Sequence, residues 1–147
     1  MRKYTDLIIK FLKKSLNEKI IYLEVIFWLA ITRLSILTLH FKFIARFLGK
    51  HMAESEKQHP PHTMKKARVI AARIYTLSKY LPWECKCLVQ AISGKMMLKK
   101  RKITNTMYLG VCKDNHGMLM AHAWLRVGDS IILGGDVKRF TVVATFA

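Results

Sequence analysis

The sequence predicts an α+β fold: a helical N-terminal region, then a cysteine-bearing helix packed on an antiparallel sheet. Three observations carry this. Up to about Lys102 the apolar residues recur three and four apart, the period of a helix face. Beyond it they alternate, as they do along a half-buried strand. The alternating runs are separated by Asp114-Asn115-His116-Gly117 and by Gly128-Asp129, which are hairpin turn signals.

Tyr4, Leu7, Ile8, Phe11 and Leu12 share one face of a short helix over Tyr4–Lys14, with Lys3, Lys10, Lys13 and Lys14 around it. Such a helix packs on its own domain or lies on an anionic lipid surface, and packing is the default expectation. Ile20–Leu48 is the most apolar stretch. Arg33 separates its uncharged runs, Val25–Thr32 and Leu34–Phe41; each is far short of the ~20 residues of a membrane span, though joined across Arg33 they reach 17, the bottom of the spanning range. A buried or partner-covered helix is expected there, bent in its Thr- and β-branched part and stopped at Gly49.

His51–Thr63 reads as a polar linker. Pro60-Pro61 cannot continue a helix, and His51, His59 and His62 have no fixed metal-ligand spacing. Thr63 is placed to cap a helix over Met64–Tyr80, whose apolar face is Ala67, Ile70, Ala71, Ile74, Leu77 and Tyr80. After Pro82 the helical pattern resumes over Cys85–Lys100 and closes on the basic run Lys99–Lys102, where cations are favourable at a helix C-terminus. Strands are expected at Met107–Val111, Met118–Val127, Ser130–Leu133 and Phe140–Phe146, with a break at Gly134-Gly135. The chain thus divides into a helical N-terminal region and linker, 1–62, and a core, 63–147.

At 147 residues and 52% hydrophobic, with 3 Pro and 7 Gly, the chain buries a real core and is neither disordered nor collagen-like. The formal net charge of +17 is uneven: residues 1–102 hold 22 of the 26 Lys/Arg but only 6 of the 9 Asp/Glu. That field favours an acidic partner, nucleic acid or an anionic membrane surface. No helix-turn-helix, zinc-finger or aromatic RNA-binding signature is present, so nucleic acid is not the expected partner. Three cysteines is an odd number, and Asp6, Lys10, Lys13 and Lys14 interrupt any secretory apolar segment. A reducing cytoplasm is expected, with Cys112 a small buried hydrophobe in its strand.

The chemistry-bearing stretch is Pro82-Trp83-Glu84-Cys85-Lys86-Cys87-Leu88. A thiol in the first turn of a helix faces unpaired backbone N–H groups and the positive end of the macrodipole, and both favour a thiolate. Cys85 and Cys87 would stand about 200° apart on a helix, so only one can face a given pocket, and geometry alone does not choose. A zinc half-site would need two further ligands that the sequence offers only scattered, so no metal and no cofactor is expected. Downstream, His122 and Trp124 point to one face of a strand, while Ala121 and Ala123 point to the other. A two-residue turn at Gly128-Asp129 brings His122 opposite about residue 135, which makes Asp136 the nearest acid on the returning chain. Asp136 either orients the imidazole or caps the Gly-Gly turn.

Together Pro82-Trp83-x-x-x-Cys87-Leu88, Leu109-Gly110-Val111, Ala121-His122-Ala123-Trp124-Leu125 and Thr141-Val142-Val143-Ala144 resemble the B proteins of lasso-peptide biosynthesis. Those are transglutaminase-like, papain-type thiol enzymes. Arg33 and Phe47-Leu48-Gly49 resemble the helical region ahead of their peptidase, so the likeness covers about residues 16–147. The resemblance implies a transglutaminase-like core, Cys87 as nucleophile, His122 as base and Asp136 as the acid, with Cys85 incidental. It implies a split leader peptidase working on a precursor (leader) peptide with a separate leader-recognition protein and a lasso cyclase. The Cys87 backbone N–H is then an oxyanion donor, and Trp83 and Trp124 are expected to line the substrate groove.

Two other readings compete. A thiol acyltransferase on the same fold would pass the thioester to an amine. A non-catalytic basic module would bind nucleic acid or anionic membrane, in a salt-sensitive way and without thiol chemistry. Peripheral membrane contact through the N-terminal region also fits its apolar, basic character.

Overall fold

The computed structural model describes residues 2–147; the side chains of residues 2–4, 6 and 7 lie outside the described set, and with them the expected parts of Lys3, Tyr4 and Leu7. Among the described residues the helices come first: α1 (Arg2–Leu12), α2 (Leu16–Thr38), α3 (Phe41–Ala45), α4 (Pro61–Ser78) and α5 (Cys87–Lys100). The strands follow as β1 (Thr106–Lys113), β2 (Leu119–Val127), β3 (Ser130–Leu133) and β4 (Thr141–Phe146), all antiparallel, in the order β3-β2-β1-β4. The α+β expectation holds.

Helix α2 starts where the Ser15 hydroxyl accepts the Glu18 N–H at 3.4 Å. It ends at Thr38, where the hydroxyls of Ser35 and Thr38 donate back to the Ile31 and Leu34 carbonyls at 2.8 Å, bonds that weaken a helix end. Leu39 is extended, and the chain turns into α3 and then Gly49. Gly49 has φ +101°, and a Cβ there would overlap the Ala147 carbonyl, so this position admits only glycine. The close approach lets Lys50 and Ala147 exchange backbone hydrogen bonds of 2.8 and 3.1 Å, fastening the linker to the end of β4.

Two helix starts differ from expectation. Helix α4 begins at Pro61, not Met64: proline cannot continue a helix but fits its first position, whose N–H would be unpaired anyway. Pro60 therefore occupies the cap, and Thr63 lies inside the first turn. Helix α5 begins at Cys87, not Cys85, because Lys86 is extended with ψ 177°.

One hydrophobic core joins Val25 and Leu29 of α2, Ile70 and Ile74 of α4, Val89, Ile92 and Leu98 of α5, and Met107, Leu125, Val127 and Phe146 of the sheet. Residues on both sides of position 62 thus share it. Polar ties fix the layers. Glu24 pairs with Arg101 at 2.6 Å and with Lys100 at 3.3 Å, binding α2 to the C-terminal end of α5. Ser93 donates to Thr32 at 3.2 Å in the buried seam between the same helices. Lys95, only 3% exposed, donates to the Asn105 side chain and to the Phe146 carbonyl at 3.1 and 3.0 Å. Buried Arg126 donates to Tyr108 Oη at 2.8 Å and to the carbonyls of Gly128 and Ser55, which seats the β2–β3 turn and the linker on the sheet.

Candidate active site

Cys87 is the first residue of α5, and the first i→i−4 bond of that helix runs from the Gln90 N–H to the Lys86 carbonyl at 3.1 Å. The N–H groups ahead of Gln90 have no intrahelical acceptor, and the Lys86 side chain does not cap them. Lys86 instead pairs with Glu84 at 2.7 Å, and Arg33 of α2 reaches the same carboxylate at 3.2 Å. The hydrogen bond from Lys86, with the charge of Arg33 behind it, holds the Glu84 carboxyl below its usual range. The approach to the thiol is thereby pinned to α2, although both ion pairs are solvent-exposed.

The two neighbouring thiols lie in different environments. Cys85 is 9% exposed in the core, where burial pushes its thiol up against the lowering charge of Arg33. Its carbonyl accepts the Gln90 amide at 2.8 Å, a bond that shapes the entry to α5. Cys87 is partly exposed and lines a cavity of about 300 Å³ together with His122. The rest of that cavity is apolar and includes Phe41 of α3, Leu88, Leu109 and Val143. The structure therefore separates two cysteines that spacing alone could not: Cys87 and His122 share a cavity that Cys85 does not line.

His122 is the fourth residue of β2, opposite Gly110 of β1. Its Nε2 lies 2.7 Å from the Gly134 carbonyl oxygen. A carbonyl only accepts, so Nε2 carries the proton and Nδ1 keeps its lone pair. Phe140 stacks on the ring at 4.8 Å and 30°, and Trp124 lies beyond at 6.1 Å. An imidazole held by one hydrogen bond and one aromatic face has a single orientation.

The Gly134 carbonyl reaches this position for two reasons. Pairing of β3 with β2 carries one extra residue, Ile132, and ends at Leu133 opposite Leu125, so the chain beyond Leu133 leaves the ladder. Gly134 then takes φ +111°, with its backbone so close to Trp124 that a Cβ would lie 2.3 Å from the Trp124 Cβ.

The other three expected site residues fall differently. The Asp136 carboxylate accepts the Lys138 N–H at 3.1 Å and caps the turn, while the imidazole partner in this structure is the Gly134 carbonyl. Trp124 is 4% exposed, stacked on Tyr108 at 5.4 Å and 3°, and laid over Gly110, so no face of its indole is open to a substrate. It works as the wall behind the imidazole. Trp83 packs partly buried against the core, and its indole N–H is buried with no acceptor in bonding geometry.

Gly134, Phe140 and Phe41 were not among the expected site residues. Gly134-Gly135 was visible as a break between strands, but nothing in its spacing shows which carbonyl turns towards the histidine. Elsewhere, His59 bonds Thr104 at 3.1 Å, and His51 pairs as a β-bridge with Phe146, so two linker histidines serve packing. Cys112 is partly exposed, against the buried position expected for it.

A thiol at the first residue of a helix, sharing an apolar cavity with a tautomer-fixed imidazole on a central strand, can perform nucleophilic acyl chemistry. Sequence comparison agrees on the framework: a family model described as transglutaminase-like superfamily matches residues 35–145. No curated protein and no solved structure matches the chain.

Proposed function

Since the chain belongs to the transglutaminase-like superfamily, which includes cysteine peptidases and acyltransferases, we propose that it is a cysteine peptidase that removes the leader from a ribosomally made precursor of the lasso-peptide type. The observation that carries the peptidase reading is the shared cavity of Cys87 and His122, with the Nε2 proton of the imidazole committed to Gly134. The leader-peptide substrate, the separate recognition protein and the macrolactam-forming cyclase rest on the motif resemblance around Pro82–Leu88 and Ala121–Leu125.

His122 Nδ1 accepts the Cys87 thiol proton, and the sulfur attacks the carbonyl carbon of the scissile bond. The Cys87 backbone N–H, unpaired within α5, donates to the developing oxyanion. The protonated imidazole gives its Nδ1 proton to the leaving amine, which departs as the new N-terminus of the core peptide. Water, deprotonated by the same nitrogen, then hydrolyses the thioester and restores the thiol. The Gly134 carbonyl accepts from Nε2 throughout, so it steadies the imidazolium without taking its proton.

The test is incubation with a candidate precursor and recognition protein, followed by mass spectrometry of the products. Wild type is expected to release leader and core, and Cys87→Ala and His122→Ala to leave the precursor intact. Products carrying an added amine would instead assign acyl transfer. Cleavage unimpaired by either substitution would refute the thiol mechanism.

A further inference from the structure

We infer that α1, α2 and α3 form a docking surface that lays the protein on an anionic lipid bilayer, with the helices parallel to the membrane. Helix α2 carries apolar residues on two opposite sides. Its inner side, Val25, Leu29 and Thr32, is buried against the domain. Diametrically opposite run Leu16, Ile20, Leu23, Phe27, Leu34 and Leu37, spaced as one straight stripe and each 55–76% exposed. Ile8, Ile9 and Leu12 of α1 and Phe43 and Phe47 around α3 add exposed apolar surface at the two ends. Soluble monomers rarely expose contiguous apolar patches larger than a few hundred Å².

Length and composition would let α2 cross a membrane, but its packing places it alongside one. The inner side carries core residues, and Glu24 and Arg33 are tied to Arg101 and Glu84 of the domain. Only the outer side is left to lipid.

Charge selects the occupant. Exposed Lys10 and Lys13 stand at one end of the stripe, and exposed Lys42, Arg46 and Lys50 at the other. Lys42 and Arg46 approach the Phe43 ring to 5.0 and 5.5 Å, an aromatic–cation cluster suited to a headgroup layer. A second copy of the chain would set like charges against like, since each copy carries +17. Between α2, α3 and α5 the surface also opens into an apolar groove of about 250 Å³, lined by Trp28, Ile31, Phe47 and Met96 among others, which suits an acyl chain. Because Phe41 of α3 lines the cavity of Cys87 and His122, the docked face borders the catalytic opening.

The experiment is vesicle flotation of the full chain with pure phosphatidylcholine and with phosphatidylcholine containing a third phosphatidylglycerol, together with light scattering in the absence of lipid. The expected result is binding to anionic vesicles at least tenfold tighter than to neutral ones, weakening as salt rises. Leu23→Glu/Phe27→Glu, on the solvent side of α2 and checked for folding by circular dichroism, is expected to lose at least tenfold of it. Lys13→Gln/Lys42→Gln/Arg46→Gln is expected to lose the preference for anionic lipid alone. Cys87→Ser should bind like wild type, which separates this result from the fate of the peptidase reading. No flotation with anionic vesicles, undiminished flotation of Leu23→Glu/Phe27→Glu, or a lipid-free oligomer that this variant dissolves would each overturn the inference.

Discussion

The Nε2 of His122 is hydrogen-bonded to the carbonyl of Gly134 at 2.7 Å, twelve residues further along the chain and past the end of the neighbouring strand. A backbone atom thus holds the ring where a side-chain acid holds it in many thiol catalysts: it fixes the tautomer and leaves the lone pair on Nδ1. The carbonyl stays in place only while residue 134 has no side chain.

Gly134→Ala is therefore expected to damage the site from the backbone. A Cβ there would meet the Trp124 Cβ at 2.3 Å, and φ +111° is unfavourable for alanine. A destabilisation of about 2–4 kcal/mol and a loss of at least tenfold in cleavage are expected, measured by urea denaturation and by kcat/KM on the precursor.

Asp136→Ala is expected to be much milder. Its carboxylate caps the Lys138 N–H on an exposed turn, so the loss should be on the order of 1 kcal/mol, with kcat/KM within about tenfold of wild type. A loss as large as that of His122→Ala would show that Asp136 swings onto the ring when substrate binds.

Much of this arrangement is legible in the sequence. Asp114–Gly117 and Gly128-Asp129 mark real turns, with the Asp114 carboxylate accepting from the His116 and Met118 N–H groups at 2.8 Å. A cysteine near a helix start and a histidine on an alternating strand are local patterns and can be read, but the spacing does not choose between Cys85 and Cys87, and only the motif resemblance points to Cys87. The burial of Trp124 is not legible in its strand pattern because its surroundings are non-local: Gly110 on one strand and Gly134 beyond another make the slot that encloses it. Phe41 was unreadable for the same reason, since only the turn at Leu39 brings α3 against the sheet. The one-residue slip in β2–β3 pairing leaves no mark on an alternating pattern.

Glu24→Gln tests the tie between α2 and α5. The hydrogen bond and charge of Arg101, with Lys100 assisting, outweigh burial and hold the Glu24 carboxyl below its usual value. A depressed carboxylate contributes stability above its unfolded pKa and loses it as pH falls through the folded one. The substitution should thus cost about 1–2 kcal/mol at pH 7 and progressively less below about pH 4.5, by denaturation across that range.

Lys95 gives the opposite end of the pH scale. Burial pushes its ammonium down to about 8. The folded state then binds fewer protons than the unfolded chain between about pH 8 and 10.5, so this residue makes stability rise with pH there, by at most about 3 kcal/mol. Burial raises Cys85 and Tyr108, which work against that rise at the alkaline end. The difference between wild type and Lys95→Met isolates the lysine: their stability gap should shift in favour of wild type from pH 7 to pH 10.

The most direct measurement needs no substrate: site-resolved iodoacetamide labelling of Cys85, Cys87 and Cys112 at pH 7, in wild type and in His122→Ala. The pairing of Cys87 with His122 predicts that Cys87 is labelled fastest and slows at least tenfold in His122→Ala, while Cys85 and Cys112 keep their rates. Fastest labelling at Cys85, or a Cys87 rate indifferent to His122, would contradict it.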